Sequence, residues 1–173
     1  MAIMPILVAP DPRLKTKAKT VENVDGEIRR LMDDMLETMY NARGIGLAAP
    51  QVGVSRRVIV IDVAGEDEDP NPMRMANPEI IWASQEEELR EEGCLSLPEQ
   101  YAEVVRPVAV KIRYLDYENE IREIDADGLL GLCIQHEMDH LEGTLFVDHL
   151  SNLKRNMILR KLQKARKGQP ATV

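Results

Sequence analysis

The chain has 173 residues, of which 44% are hydrophobic, 30% charged and only 3% aromatic, and it carries a formal net charge of −8. That size and balance exclude a disordered chain and predict a single domain, residues 1–173, whose core is filled by aliphatic side chains and methionine. The negative charge excludes general nucleic-acid binding, which needs clustered cations, so no sequence-specific nucleic-acid contact is expected.

The first ten residues are apolar but lack a basic leader and are interrupted by Pro5 and Pro10. Neither a signal peptide nor a membrane span is expected, and the protein is placed in the cytoplasm. Next, Ile28, Leu31, Met32, Met35, Leu36, Met39 and Tyr40 recur by threes and fours, which predicts an amphipathic helix over about 25–42, capped by Asp25 and ended near Gly44. The segment from Gly44 to Gln51 offers two glycines and small residues, suited to close backbone approach. It lacks the Gly-Lys-Ser/Thr ending and the strand-before-helix setting of a phosphate loop.

Residues 57–63 are β-branched and predict a strand, and the acidic stretch from Gly65 to Pro72 a loop. Further strands are expected around 80–82 and over 108–114, where Val108, Val110, Ile112 and Tyr114 alternate with other residues so that one face is buried. A turn at Glu118, Asn119 and Glu120 followed by a strand over 121–124 makes a hairpin, which favours antiparallel pairing and an α+β class. An apolar run over 129–134 leads into His136-Glu137-Met138-Asp139-His140, on a helix that stops near Gly143. A last helix starts at Ser151, with Leu153, Met157, Ile158 and Leu162 on one stripe. Residues 151–173 form a basic C-terminal helix and tail holding Lys154, Arg155, Arg160, Lys161, Lys164, Arg166 and Lys167 and no acid. The expected architecture is mixed or antiparallel strands packed around a central buried metal-binding helix, with a C-terminal helix.

Histidines four apart on a helix lie about 40° apart around its axis, so His136 and His140 can face one ion. Glu137 then stands beside the metal without binding it, placed to take a proton from water there and later deliver it to a leaving amine. A catalytic site normally has three protein ligands and one open position, which leaves Cys94, Cys133, Asp139, His149 and the acidic residues as candidates for the third. Cys133 shares the helical face of the histidines. Its neighbours Leu132 and Ile134, however, suit a small core hydrophobe, whereas Gly93 and Pro98 flank Cys94 in what reads as a loop able to present a thiolate. Cys94 is favoured as the ligand, and Cys133 is given to a pocket wall. His149, beside Asp148 in a polar loop, reads as solvated and receives no role.

Three segments, Gly44-Ile45-Gly46-Leu47-Ala48-Ala49-Pro50-Gln51, Glu92-Gly93-Cys94-Leu95-Ser96 and Gln135-His136-Glu137-Met138-Asp139-His140-Leu141, resemble the three signature motifs of peptide deformylases, complete and in order. The resemblance spans essentially the whole chain. It implies removal of the formyl group from formyl-methionine at the start of nascent peptides, with one divalent metal on Cys94, His136 and His140. The ion implied is iron(II), with zinc, nickel or cobalt as replacements. Further implied are Gln51 and the Leu95 backbone N–H as oxyanion donors, Gly46 and Gly93 as room for substrate, and Ile45 as a strand-pairing partner. Leu129, Leu132 and Cys133 are the expected wall of the methionine pocket. Similarity to deformylases with a helical C-terminal extension implies ribosome contact through that basic helix.

Two other readings remain open from the sequence. Cys94 could act as a nucleophile activated by histidine, or Cys94, Cys133, His136 and His140 could close a structural four-ligand site in a noncatalytic binding protein.

Overall fold

A computed structural model describes residues 2–167, so Met1 and the last six residues of the basic tail lie outside the described residues. Among the described residues the order is α1 (Gly26–Asn41), β1 (Gly46–Ala48), β2 (Val58–Ile61), β3 (Met73–Ala83), β4 (Glu87–Cys94), β5 (Leu97–Pro107), β6 (Ala109–Leu115), β7 (Ile121–Asp127), α2 (Gly128–Leu141) and α3 (Asn152–Lys167). The class is α+β, with a five-stranded antiparallel sheet ordered β1-β2-β3-β6-β7 and a separate hairpin of β4 and β5.

The short strand β2 explains how the core divides. All four of its residues are buried, because both faces of the sheet are covered at that point and no polar alternation is left to see. Val58 and Val60 pack with Ile28, Met32, Met35 and Met39 of α1. Ile59 and Ile61 point the other way, to Cys133, Ile134 and Leu141 of α2. The sheet therefore lies between the two helices, and the methionine-rich α1 does the filling that aromatic residues do elsewhere. A third cluster, around Leu14, Leu97, Val104, Phe146 and Leu162, lies under the hairpin and the last helix.

Helix α1 starts as expected, with the Asp25 carboxylate accepting from the Ile28 N–H at 3.0 Å. It ends at Asn41, just before Gly44 as expected. The left-handed residue is Arg43, at φ 58°, while Gly44 lets Leu95 pack close, since a Cβ there would stand 2.7 Å from Leu95 Cδ1 and displace that side chain. The Glu118–Glu120 turn is held by Asp116, whose carboxylate accepts from the N–H groups of Glu118 and Glu120.

Three expectations need correction. Strand β3 runs far beyond 80–82. The segment around Cys94 is not a loop ended by Pro98: Cys94 closes β4, Leu95 and Ser96 make a tight turn, and Pro98 lies inside β5. The stripe on α3 docks only in part, because Leu162 is 2% exposed whereas Leu153 is 73% and Met157 48% exposed.

Candidate active site

Helix α2 is buried over most of its length, and it can start abruptly because Gly128, at φ 53°, turns the chain directly out of β7. Gly131 lets it lie close to the preceding strand, since a Cβ there would meet Ala126 O at 2.9 Å. The result is a helix whose second half faces β1 and the hairpin turn. His136, Glu137 and His140 are all buried.

Cys94 Sγ and the two imidazoles converge. The ligand atoms of Cys94, His136 and His140 lie within 4.8 Å of one another, with Cys94 Sγ 3.3 Å from His140 Nε2. His136 Nδ1 is 2.9 Å from Glu92 Oε1, so it donates there and leaves Nε2 as the lone-pair nitrogen. Arg106 holds Glu92 in turn, through Nε at 2.5 Å and Nη2 at 2.9 Å. Burial disfavours the Glu92 charge, but hydrogen bonds from His136 and Arg106 overcome that and hold its pKa at about 2. Burial and the neighbouring His136 push His140 well below the usual imidazole range, which keeps it neutral as a ligand must be.

Cys133 does not join this group. Its thiol donates to Ile45 O at 3.7 Å, and burial, then Glu137 and Glu92, push its pKa up, so it stays a neutral wall residue. Asp139, another candidate ligand, instead accepts from Arg106 Nη1 at 2.9 Å.

Glu137 is wholly enclosed, and burial lifts its pKa to about 7, the range in which a carboxylate can both take and return a proton. Its Oε1 and His140 Nδ1 are buried without a hydrogen-bond partner among the described residues. Such orphaned atoms beside converging sulfur and nitrogen donors fit a site built for a divalent first-row ion. Gly46 leaves room for both side chains, because a Cβ there would come within 2.5 Å of Glu137 Oε2 and 2.7 Å of Cys133 Sγ and force them to shift. Gln51 is fixed by its amide oxygen, which accepts from the Ala48 N–H at 2.9 Å. Its Nε2 therefore points at Ser96 Oγ, 3.0 Å, and Cys94 Sγ, 3.5 Å.

These groups line a cavity of about 380 Å³ whose wall includes Ile45, Gly46, Gln51, Gly93, Cys94, Leu95, His136 and Glu137. A smaller recess of about 120 Å³ adjoins it, bounded by Ile45, Gly93, Leu129, Leu132, Cys133 and Glu137 among others. Every residue singled out from the sequence for the site thus lines one of the two, except His140, which is buried behind the wall with its Nε2 against Cys94 Sγ. Sequence reasoning missed Glu92 and Arg106 as supports of His136, and Tyr101, whose ring covers Gly93 so closely that a Cβ there would be 2.6 Å from it. Only Glu92 carried a signal, its place beside Gly93 and Cys94.

The chain matches the family described as Polypeptide deformylase over residues 3–156. It is 60% identical over 168 residues to the peptide deformylase of Phenylobacterium zucineum, an alignment covering 97% of this chain and 99% of that one. With the peptide deformylase of Methylocella silvestris it shares 57% identity over 170 residues, covering 96% and 87%. Among solved structures, peptide deformylase from Ehrlichia chaffeensis in complex with actinonin is similar with a TM-score of 0.92 at 43% identity, covering 96% of this chain and 99% of that one. One from Legionella pneumophila gives 0.90 at 48% identity, covering 98% and 100%.

Proposed function

This chain belongs to the polypeptide deformylase family, and from that premise we propose that its pocket hydrolyses the formyl amide of N-terminal formyl-methionine on nascent peptides. The products are formate and a free amino terminus. The family is metal-dependent, and the observation that carries the proposal is the convergence of Cys94, His136 and His140 beside a buried, unpartnered Glu137 oxygen.

Cys94, His136 and His140 would hold the ion. Iron(II) is the ion proposed, with zinc, nickel or cobalt as replacements. Bound there, it would supply Lewis acidity to an attacking water and to the formyl carbonyl. Glu137 takes one proton from the attacking water and delivers it to the amine nitrogen as the C–N bond breaks; the water's other proton leaves on formic acid, which ionises to formate by passing it to the amine or to solvent. Gln51 Nε2, oriented by its fixed oxygen, and the Leu95 N–H donate to the oxyanion, preset before the charge develops. Ile45, at the edge of the pocket and 41% exposed, offers its backbone to an extended substrate. Gly46 and Gly93 keep the entrance narrow-walled but open, and Leu129, Leu132 and Cys133 with Ile45 form an apolar recess for the methionine side chain.

The 3.3 Å contact between Cys94 and His140 also suits a thiolate nucleophile paired with an imidazole, and one experiment separates the two. Formate release from a formyl-Met peptide is measured anaerobically before and after removal of metal by a chelator under reducing conditions. The proposal expects activity to disappear and return with iron(II) or cobalt(II); activity that persists in metal-free protein supports the nucleophile instead.

The chain is proposed to act as one catalytic domain in the cytoplasm; no helix among the described residues is long and apolar enough to cross a membrane. Lys154, Arg160, Lys161 and Lys164 lie on the solvent-facing side of α3, which supports ribosome contact through phosphate attraction. Unchanged ribosome binding on deletion of residues 151–173 would remove that part of the proposal.

A further inference from the structure

We infer that His149 is a positioning residue for the imidazole of His136, acting through Asp139, Arg106 and Glu92. The inference rests on the metal-binding part of the function proposed above and adds a residue that the three motifs do not contain.

The path is continuous. His149 Nε2 lies 2.8 Å from Asp139 Oδ2, the same oxygen that accepts from Arg106 Nη1 at 2.9 Å. The guanidinium spends its other two edges on Glu92, and Glu92 Oε1 receives His136 Nδ1. Five side chains from α2, β4, β5 and the turn after α2 thus form one line from a half-exposed surface position to a ligand. Its inner members, Glu92 and Arg106, are 5% and 6% exposed. Asp139 keeps 26% of its side chain exposed and His149 38%.

The chemistry gives the outer end its importance. Arg106 is a planar fork whose donors must all be satisfied in a buried place. Two of its contacts are held rigidly by Glu92, but the third depends on Asp139, which is free to swing toward water unless something anchors it. His149 is that anchor. If it is lost, Asp139 gains freedom, Arg106 is left with a poorly satisfied buried donor, and the Glu92 carboxylate loses the fixed geometry that sets the tautomer and tilt of His136. A second observation points the same way. His149 closes the 3-10 turn Phe146–His149, and Phe146 from that same turn stacks on His136 with ring centroids 6.2 Å apart at 29°. The turn therefore bears on the ligand both by ring contact and through the polar line.

A merely structural histidine would tie the turn to the helix and do nothing to the metal. The test is the zinc(II) and cobalt(II) affinity of the full-length protein by chelator competition, with the visible spectrum of the cobalt form, for wild type, His149→Ala, His149→Gln and Arg155→Gln. The glutamine amide can still donate to Asp139. Arg155→Gln breaks the 2.9 Å bond from α3 to Asp148 in the same turn without touching Asp139. His149→Ala should weaken binding by roughly 3- to 10-fold and alter the cobalt spectrum, less than the roughly 10- to 100-fold typical of a partner that touches the ligand directly. His149→Gln and Arg155→Gln should stay within about twofold of wild type. Unchanged affinity in His149→Ala overturns the inference, as does equal weakening in either companion variant, or a wild type that binds no ion. Because no substrate is involved, a protein that binds metal in this pattern yet releases no formate would refute the deformylase proposal and leave the inference standing.

Discussion

Helices α2 and α3 are of similar length, 14 and 16 residues, yet they treat their polar side chains in opposite ways. In α2 the polar groups are buried or half-buried and mostly committed: Gln135 donates to Pro107 O and Gly131 O, His136 to Glu92, and the half-buried Asp139 accepts from Arg106. In α3, among the described side chains, one leucine is fully buried, Lys154, Arg160, Lys161 and Lys164 stand in solvent, and Arg155 reaches Asp148 on the neighbouring turn. Enclosing polar groups is costly unless each has a partner. The two unpartnered atoms on α2, Glu137 Oε1 and His140 Nδ1, therefore mark chemistry, whereas the exposed charges of α3 are hydrated and carry no such mark of a reaction.

Ordered by expected effect on the site, four changes sharpen that contrast. His140→Ala removes one of three converging donors and should abolish stoichiometric binding, read as metal per chain after anaerobic gel filtration. Glu92→Gln keeps the shape but removes the carboxylate shared by Arg106 and His136. It should weaken metal binding by about 10- to 100-fold in a chelator competition, and wild-type affinity would show that the support is dispensable. Leu162→Ala opens a cavity under α3 and should cost about 2 kcal/mol in a denaturant titration while leaving metal affinity unchanged; a parallel loss of affinity would join the two regions that we separate.

Asp148 gives the smallest effect. Burial disfavours its charge, but the Leu145 N–H, Lys15 and Arg155 outweigh that and lower its pKa. A carboxylate with a depressed folded pKa stabilises above its unfolded value and loses that contribution as pH falls through the folded one. The melting-temperature gap between wild type and Asp148→Asn should thus be present at neutral pH and close below about pH 4. A gap that widens in acid would contradict the assignment.

Much of this was legible in the residues, and the part that was not has a physical cause. Periodicity located α1 because only one face of it is buried, and β6 and β7 because their turn carries the residues a turn requires. The hairpin β4–β5 was hidden because its pattern is inverted. Leu89 and Val105 face solvent while Glu92 and Arg106 face inward as an ion pair, so the usual rule of apolar inside and polar outside gives no strand. The same inversion concealed the support of His136, since an isolated Glu or Arg in an acidic segment reads as surface. His149, read as solvated, is in fact hydrogen-bonded to Asp139; nothing in its local sequence announces a partner ten residues away across a turn. The spacing of His136, Glu137 and His140, by contrast, is fixed within one helix, and a local pattern was enough to find it.

The central claim is that Glu137 moves the proton beside an ion it does not itself hold. Metal content and formate release from a formyl-Met peptide, measured on the same anaerobic preparations of wild type and Glu137→Ala, test it most directly. The account predicts about one divalent ion per chain in both and turnover lowered by about 10²- to 10⁴-fold in the variant; full turnover in Glu137→Ala, or loss of its metal, would contradict it.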